Sequence, residues 1–154
     1  MKKILPVAIL ISSLALSAFA YNTHKAQEYN KFYSHFDQKA CANSKLFIKA
    51  KDVMKMIRQD KGYTLLDVRT KGEKSVIKLS DKNALDIDLK DLFEAKNLNK
   101  LPTDKKIIIV CHSGTRALMS AMALKQIGFK NVQVLTGGLI ALSAANTTKN
   151  APLK

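Results

Sequence analysis

The chain has 154 residues, 26 Lys and Arg against 12 Asp and Glu, a net charge of +14, and a 47% hydrophobic composition. Two cysteines exclude a disulfide scaffold, and three histidines that do not cluster with them exclude the usual four-ligand zinc site. The basic residues are scattered rather than gathered in a tail, and no basic-aromatic motif marks a nucleic-acid interface. The excess charge reads as a solvated, lysine-rich surface; the alternative is a positive field that draws small anions toward a site.

The N-terminus begins MKKILPVAILISSLALSAFA. Lys2 and Lys3 precede an apolar run over residues 4–16, followed by Ala18-Phe19-Ala20, a small-x-small cleavage site. These parts predict a signal peptide over residues 1–20, an exported, periplasmic protein and a mature chain starting near Tyr21. The apolar run falls short of the roughly 20 residues needed to cross a bilayer, so no membrane attachment is expected after cleavage. A retained N-terminal anchor is the alternative.

Residues 21–45 form an N-terminal extension in which Tyr29, Phe32, Tyr33 and Phe36 recur at helical spacing, predicting a short helix with an aromatic face packed on the domain. A partner-binding helix is the other reading. From residue 46 to 145, apolar runs alternate with helical patterns. Residues 46–48 read as a strand and 52–59 as a helix carrying Val53, Met56 and Ile57, stopped by Gly62. Residues 63–68 read as a buried strand, 69–83 as charged and irregular, and 84–87 as a short strand. Leu89, Leu92 and Phe93 mark a helix ending before Pro102. KIIIV (106–110) is apolar throughout after its lysine, as suits a central parallel strand covered on both faces. A helix over 116–127 places Leu118, Met122, Leu124 and Ile127 on its apolar side and is capped by Gly128. A strand over 132–135, the Gly137-Gly138 turn and a helix through Leu142 complete the domain, and residues 146–154 form a flexible tail. Strands alternating with helices predict an α/β fold, a central parallel sheet flanked by helices on both faces.

The segment that carries chemistry is KIIIVCHSGTRALMS. The strand ends at Cys111, and His112, Ser113, Gly114 and Thr115 lead into a helix near Arg116. Ligands bind at the carboxyl ends of strands in such sheets. The first turn of a helix offers unpaired N–H groups and the positive end of the macrodipole, so a loop curling into it forms an anion cradle. A thiolate held there is stabilised and becomes a nucleophile. Arg116 adds a cation able to bind an oxyanion through two N–H groups. Gly114 allows a sharp turn, and Ser113 and Thr115 supply hydroxyls for hydrogen bonds or helix capping. The bland alternative is a buried cysteine before an ordinary strand-to-helix turn.

CHSGTRA, preceded by LLDVRTKGE and followed by VQVLTGGLIAL, resembles the rhodanese-like domain family over residues 46–145, and with the export signal is most similar to small periplasmic single-domain rhodaneses of the phage-shock-protein-E type. The resemblance implies a sulfurtransferase of the thiosulfate:cyanide kind. Cys111 attacks the sulfane sulfur of a small anionic donor such as thiosulfate, the backbone of residues 112–116 wraps the resulting persulfide, and a thiol or cyanide takes the sulfur by double displacement. Asp67 and Arg69 match the family's Asp-x-Arg motif, which braces that loop. No metal or organic cofactor is implied. An alternative role is a sulfur carrier or sulfane-binding module that hands sulfur to a protein acceptor. The C-x4-R spacing from Cys111 to Arg116 is one residue shorter than the C-x5-R loop of cysteine phosphatases and arsenate reductases, and fits sulfur better than phosphate.

The chain departs from the family pattern at three places. SVIKLSDKNALDIDL replaces the Gly-His-Ile-x-Gly-Ala segment, Leu142 stands where tryptophan is frequent, and His112 where many active members carry Arg or Lys. Cys41 lies outside the matched region. It pairs with Cys111, resolves its persulfide, or stays a partly buried thiol, the last being preferred because a disulfide demands close Cα positions.

Overall fold

In the computed structural model, which describes residues 20–152, the apolar runs form one sheet. Most of the expected signal peptide, residues 1–19, lies outside the described residues, as do residues 153–154. In chain order the elements are α1 (Thr23–Tyr33), α2 (Gln38–Ala42), β1 (Phe47–Ile48), α3 (Ala50–Gln59), β2 (Tyr63–Asp67), α4 (Lys71–Val76), β3 (Ala84–Asp86), a 3-10 turn (Leu89–Asp91), α5 (Ala95–Leu98), β4 (Lys106–Val110), α6 (Thr115–Gln126), β5 (Val132–Leu135) and α7 (Gly138–Ala145). Contacts divide the chain into Met1–Asp37 and Gln38–Lys154.

The five strands are all parallel, in the order β1-β5-β4-β2-β3. β4 is the middle strand, as its unbroken apolar run requires. Its side chains alternate between two cores: Ile107 and Ile109 join Leu66, Ala117, Ala121 and Leu124 on one face, while Ile108 and Val110 join Val53, Met54, Leu65, Leu139 and Leu142 on the other. These four β4 residues are fully buried, and only Lys106 at the start of the strand is exposed. α6 therefore covers one face of the sheet, and α3 with α7 the other.

Several elements differ from the sequence reading, each for a local reason. α3 stops before Gly62, because Asp60 adopts the left-handed conformation (φ 51°) and its N–H bonds to the Ile57 carbonyl; Asp is among the few residues that tolerate this geometry. The stretch expected to be irregular holds α4, opened by a capping box in which Thr70 and Glu73 satisfy each other's backbone N–H groups. The helix expected after Leu89 is two short turns, tied together where the buried Asn97 side chain donates to the Asp91 carbonyl at 2.8 Å. On α6 the buried stripe is Ala117, Ser120, Ala121 and Leu124, with Leu118 partly exposed and Ile127 outward; small residues let the helix lie close to the sheet. In the N-terminal unit α1 buries no residue, and its rings meet one another and Phe36 just beyond the helix, with Phe32 edge-on to Tyr33 at 5.0 Å and 5.4 Å from Phe36. Among the described tail residues, Lys149 accepts a bond from Arg58 at 2.5 Å. No helix among the described residues is long and apolar enough to cross a membrane.

Candidate active site

Cys111 follows the last residue of β4, whose neighbour Asp67 ends β2 in register with Val110. Cys111 is 1% exposed, so the end of the sheet holds this cysteine buried at the base of the loop. The chain then turns through Gly114, at φ 116°, a conformation that L side chains rarely adopt. This turn aims the Gly114 N–H at the sulfur, 3.1 Å from Sγ. Gly114 is also the N-cap of α6, and no side chain caps that helix. Ser113 and Thr115, expected as capping candidates, are exposed, as is His112. The start of α6 thus has first-turn N–H groups with no side-chain cap and the positive end of its dipole beside the loop, and the N-cap N–H of Gly114 reaches the sulfur.

The outer side of the loop is set by α7. Leu139 N–H donates to the Cys111 carbonyl at 2.8 Å and Ile140 N–H to the His112 carbonyl at 3.3 Å. These bonds turn two loop carbonyls into the first turn of α7, where they satisfy helix N–H groups that lack intrahelical partners. The approach demands a glycine. A Cβ on Gly138 would lie 2.5 Å from the Cys111 oxygen and 2.6 Å from the His112 oxygen, and Gly138 has φ 57°. The sequence reading placed a turn here but missed its contact with the loop.

Arg116 has a partner from a distant segment. Both arms of its guanidinium donate to Glu73, at 2.7 Å to Oε2 and 2.6 Å to Oε1. Glu73 also accepts from the Thr70 N–H and hydroxyl, each at 3.0 Å. The Arg116 hydrogen bonds, followed by that of the Thr70 N–H, hold the Glu73 carboxyl well below the usual carboxylate range. Reciprocally Arg116 is held above its ordinary value, first by Glu73, with a smaller contribution from Cys111. The Thr-x-x-Glu pattern marks Glu73 as part of a helix start, but its pairing with Arg116 follows only from the fold.

Asp67 and Arg69 form a buried pair, 0% and 2% exposed, with Arg69 Nε and Nη2 donating to the carboxylate at 2.9 and 2.7 Å. Arg69 Nη2 also donates to the Ile77 carbonyl at 2.8 Å. The pair therefore grips the end of α4. Its route to the loop runs through α4 and Glu73 to Arg116. Asp88 fastens α4 from another side by accepting from Lys74 at 2.6 Å. A cleft of about 710 Å3 opens beside Arg116, lined also by Val68, Thr70, Lys71, Leu89 and Lys90. In the segment that departs from the family pattern, Tyr63 donates to Asp81 at 2.8 Å, and burial pushes the Tyr63 phenol up to about 12. Cys41 is exposed, not partly buried.

Residues 49–145 match the Rhodanese family, described as a rhodanese-like domain. No curated protein sequence matches the chain. Among solved structures it is similar to a rhodanese-related protein from Thermoplasma volcanium, at 30% identity and a TM-score of 0.55, covering 64% of this chain and 90% of that one. It shares its fold with a single-domain sulfurtransferase from Saccharomyces cerevisiae (19% identity, TM-score 0.57, 71% of this chain and 98% of that one). A human single-domain sulfurtransferase gives 16% identity and a TM-score of 0.56, over 66% of this chain and 97% of that one. With a family match that takes in strands β2 to β5, the Cys111 loop and the α7 turn alike, the chain belongs to the rhodanese-like domain family.

Proposed function

We propose that the protein is an exported, periplasmic sulfurtransferase that moves sulfane sulfur through a persulfide on Cys111. The observation that carries this reading is the Gly114 N–H 3.1 Å from the Cys111 sulfur at the uncapped N-terminus of α6. The thiolate attacks the outer sulfur of a donor such as thiosulfate. The donor's S–S bond breaks, and sulfite leaves with the electron pair. Backbone donors of residues 112–116 then hold the anionic terminal sulfur. A cyanide or thiol acceptor attacks that sulfur and regenerates the Cys111 thiolate. The four-residue spacer to Arg116 supports sulfur over a tetrahedral phosphate, and membership of the family supports sulfur transfer in general. Asp67 and Arg69 act as positioning residues through α4. Export rests on the pattern of residues 1–20, and with the fold supports the phage-shock-protein-E type.

Thiosulfate:cyanide turnover by the reduced mature protein, beside Cys111→Ala, tests the reading. Turnover lost in the variant is expected. One sulfur bound on Cys111 without turnover would assign the protein as a carrier, and aryl phosphate hydrolysis lost with Cys111 would contradict sulfur transfer.

A further inference from the structure

Glu73 and Arg116 lie 43 residues apart and meet only through the fold. Each carboxylate oxygen takes one arm of the guanidinium, at 2.7 and 2.6 Å. The carboxylate is also fixed by Thr70, so its position does not depend on a ligand. The cation nearest the sulfur loop is thus neutralised in advance. An anion seeking Arg116 must displace Glu73 or sit beside its negative charge.

We propose that Glu73 determines donor specificity through Arg116. By occupying both arms of the guanidinium it weakens the hold of the Cys111 site on dianionic sulfur donors such as thiosulfate relative to organic persulfides, without closing the site to them. The proposal rests on the sulfur-transfer reading of Cys111. With a persulfide RS–SH, the thiolate attacks the outer sulfur, the donor's S–S bond breaks, RS⁻ leaves with the electron pair, and Cys111 carries –SSH. With thiosulfate the same attack expels sulfite, and neither route needs an oxidant. The two donors differ in the atom bonded to the sulfane sulfur. In thiosulfate that atom bears three oxygens that share most of the dianion's charge and must rest against the loop, next to the Glu73–Arg116 pair. In an alkyl persulfide the sulfane sulfur's partner is a sulfur carrying an uncharged carbon. Like charge at short range in a partly desolvated site discriminates between them.

The test is single-turnover sulfur loading of Cys111, followed by intact mass against donor concentration, with thiosulfate and with an alkyl persulfide whose organic group is uncharged. Glu73→Gln keeps a side chain able to close the capping box but removes the charge, and Glu73→Asp keeps the charge. Glu73→Gln is expected to improve loading from thiosulfate on the order of tenfold, through donor affinity rather than maximal rate, while the alkyl persulfide stays within about twofold. Glu73→Asp is expected to retain the wild-type ratio between donors. If Glu73→Gln changes both donors by the same factor, or neither, Glu73 is only a structural partner of Arg116 and the proposal is overturned. Absence of loading on wild-type Cys111 from both donors would overturn the sulfur-transfer reading itself, and this proposal with it.

Discussion

Gly138 has no room for a side chain. A methyl group there would meet the Cys111 and His112 oxygens at 2.5 and 2.6 Å, both backbone atoms of the loop that begins at Cys111. Gly114 differs: its φ is 116°, but a Cβ would meet nothing nearer than 3.7 Å. Gly114→Ala is expected to cost only backbone strain, about 1–3 kcal/mol. Gly138→Ala adds a clash to the strain and is expected to cost about 2–4 kcal/mol, with sulfur loading at Cys111 falling as the loop shifts. Urea denaturation of both variants checks that order, and a harmless Gly138→Ala would mean that α7 does not define the loop. The residues from Cys111 to Arg116 were legible in the sequence because they are contiguous. Gly138 and Glu73 were not, because their contribution exists only where distant segments meet.

At the scale of elements, α4 is the strut of the site. It receives the buried Asp67–Arg69 pair at its end through the Ile77 carbonyl, Asp88 through Lys74, and passes Glu73 to Arg116. Asp67→Asn leaves Arg69 buried without its anion and is expected to destabilise the fold by about 3–5 kcal/mol. Thr70→Ala removes only a cap and is expected to cost about 1 kcal/mol; thermal or urea unfolding measures both. The Glu73 carboxyl is depressed in the fold below its ordinary value of 4.5. The stability it contributes is therefore present in full above that value and declines as pH falls toward the folded-state value. The stability gap between wild type and Glu73→Gln should accordingly hold at neutral pH and narrow from about pH 5 to about pH 3 in urea titrations. A constant gap would mean that the charge of Glu73 adds nothing. α4 escaped the sequence reading because it buries no residue and so carries no apolar period; its only signal was the capping box. On α6 the apolar period placed Leu124 and Met122 correctly against the core, but the first turns face the sheet through Ala117 and Ala121 rather than the larger Leu118, and Ile127 points outward.

Across the whole molecule, the alternating pattern of strands and helices gave the parallel sheet, and the apolar KIIIV gave its middle strand. The order β1-β5-β4-β2-β3 was not written in any local pattern, because strand neighbours depend on crossovers. That order places the end of β4 between the ends of β2 and β5, so the β2–α4 connection and the β5–α7 turn both reach the Cys111 loop. One side supplies Glu73 and the other Gly138. The persulfide assignment is tested most directly by intact-mass measurement of the reduced protein after exposure to a sulfane donor, beside Cys111→Ala and Cys41→Ser. One added sulfur atom in wild type and Cys41→Ser, and none in Cys111→Ala, is the expected result. Loading that survives in Cys111→Ala, or no loading at all, would contradict it.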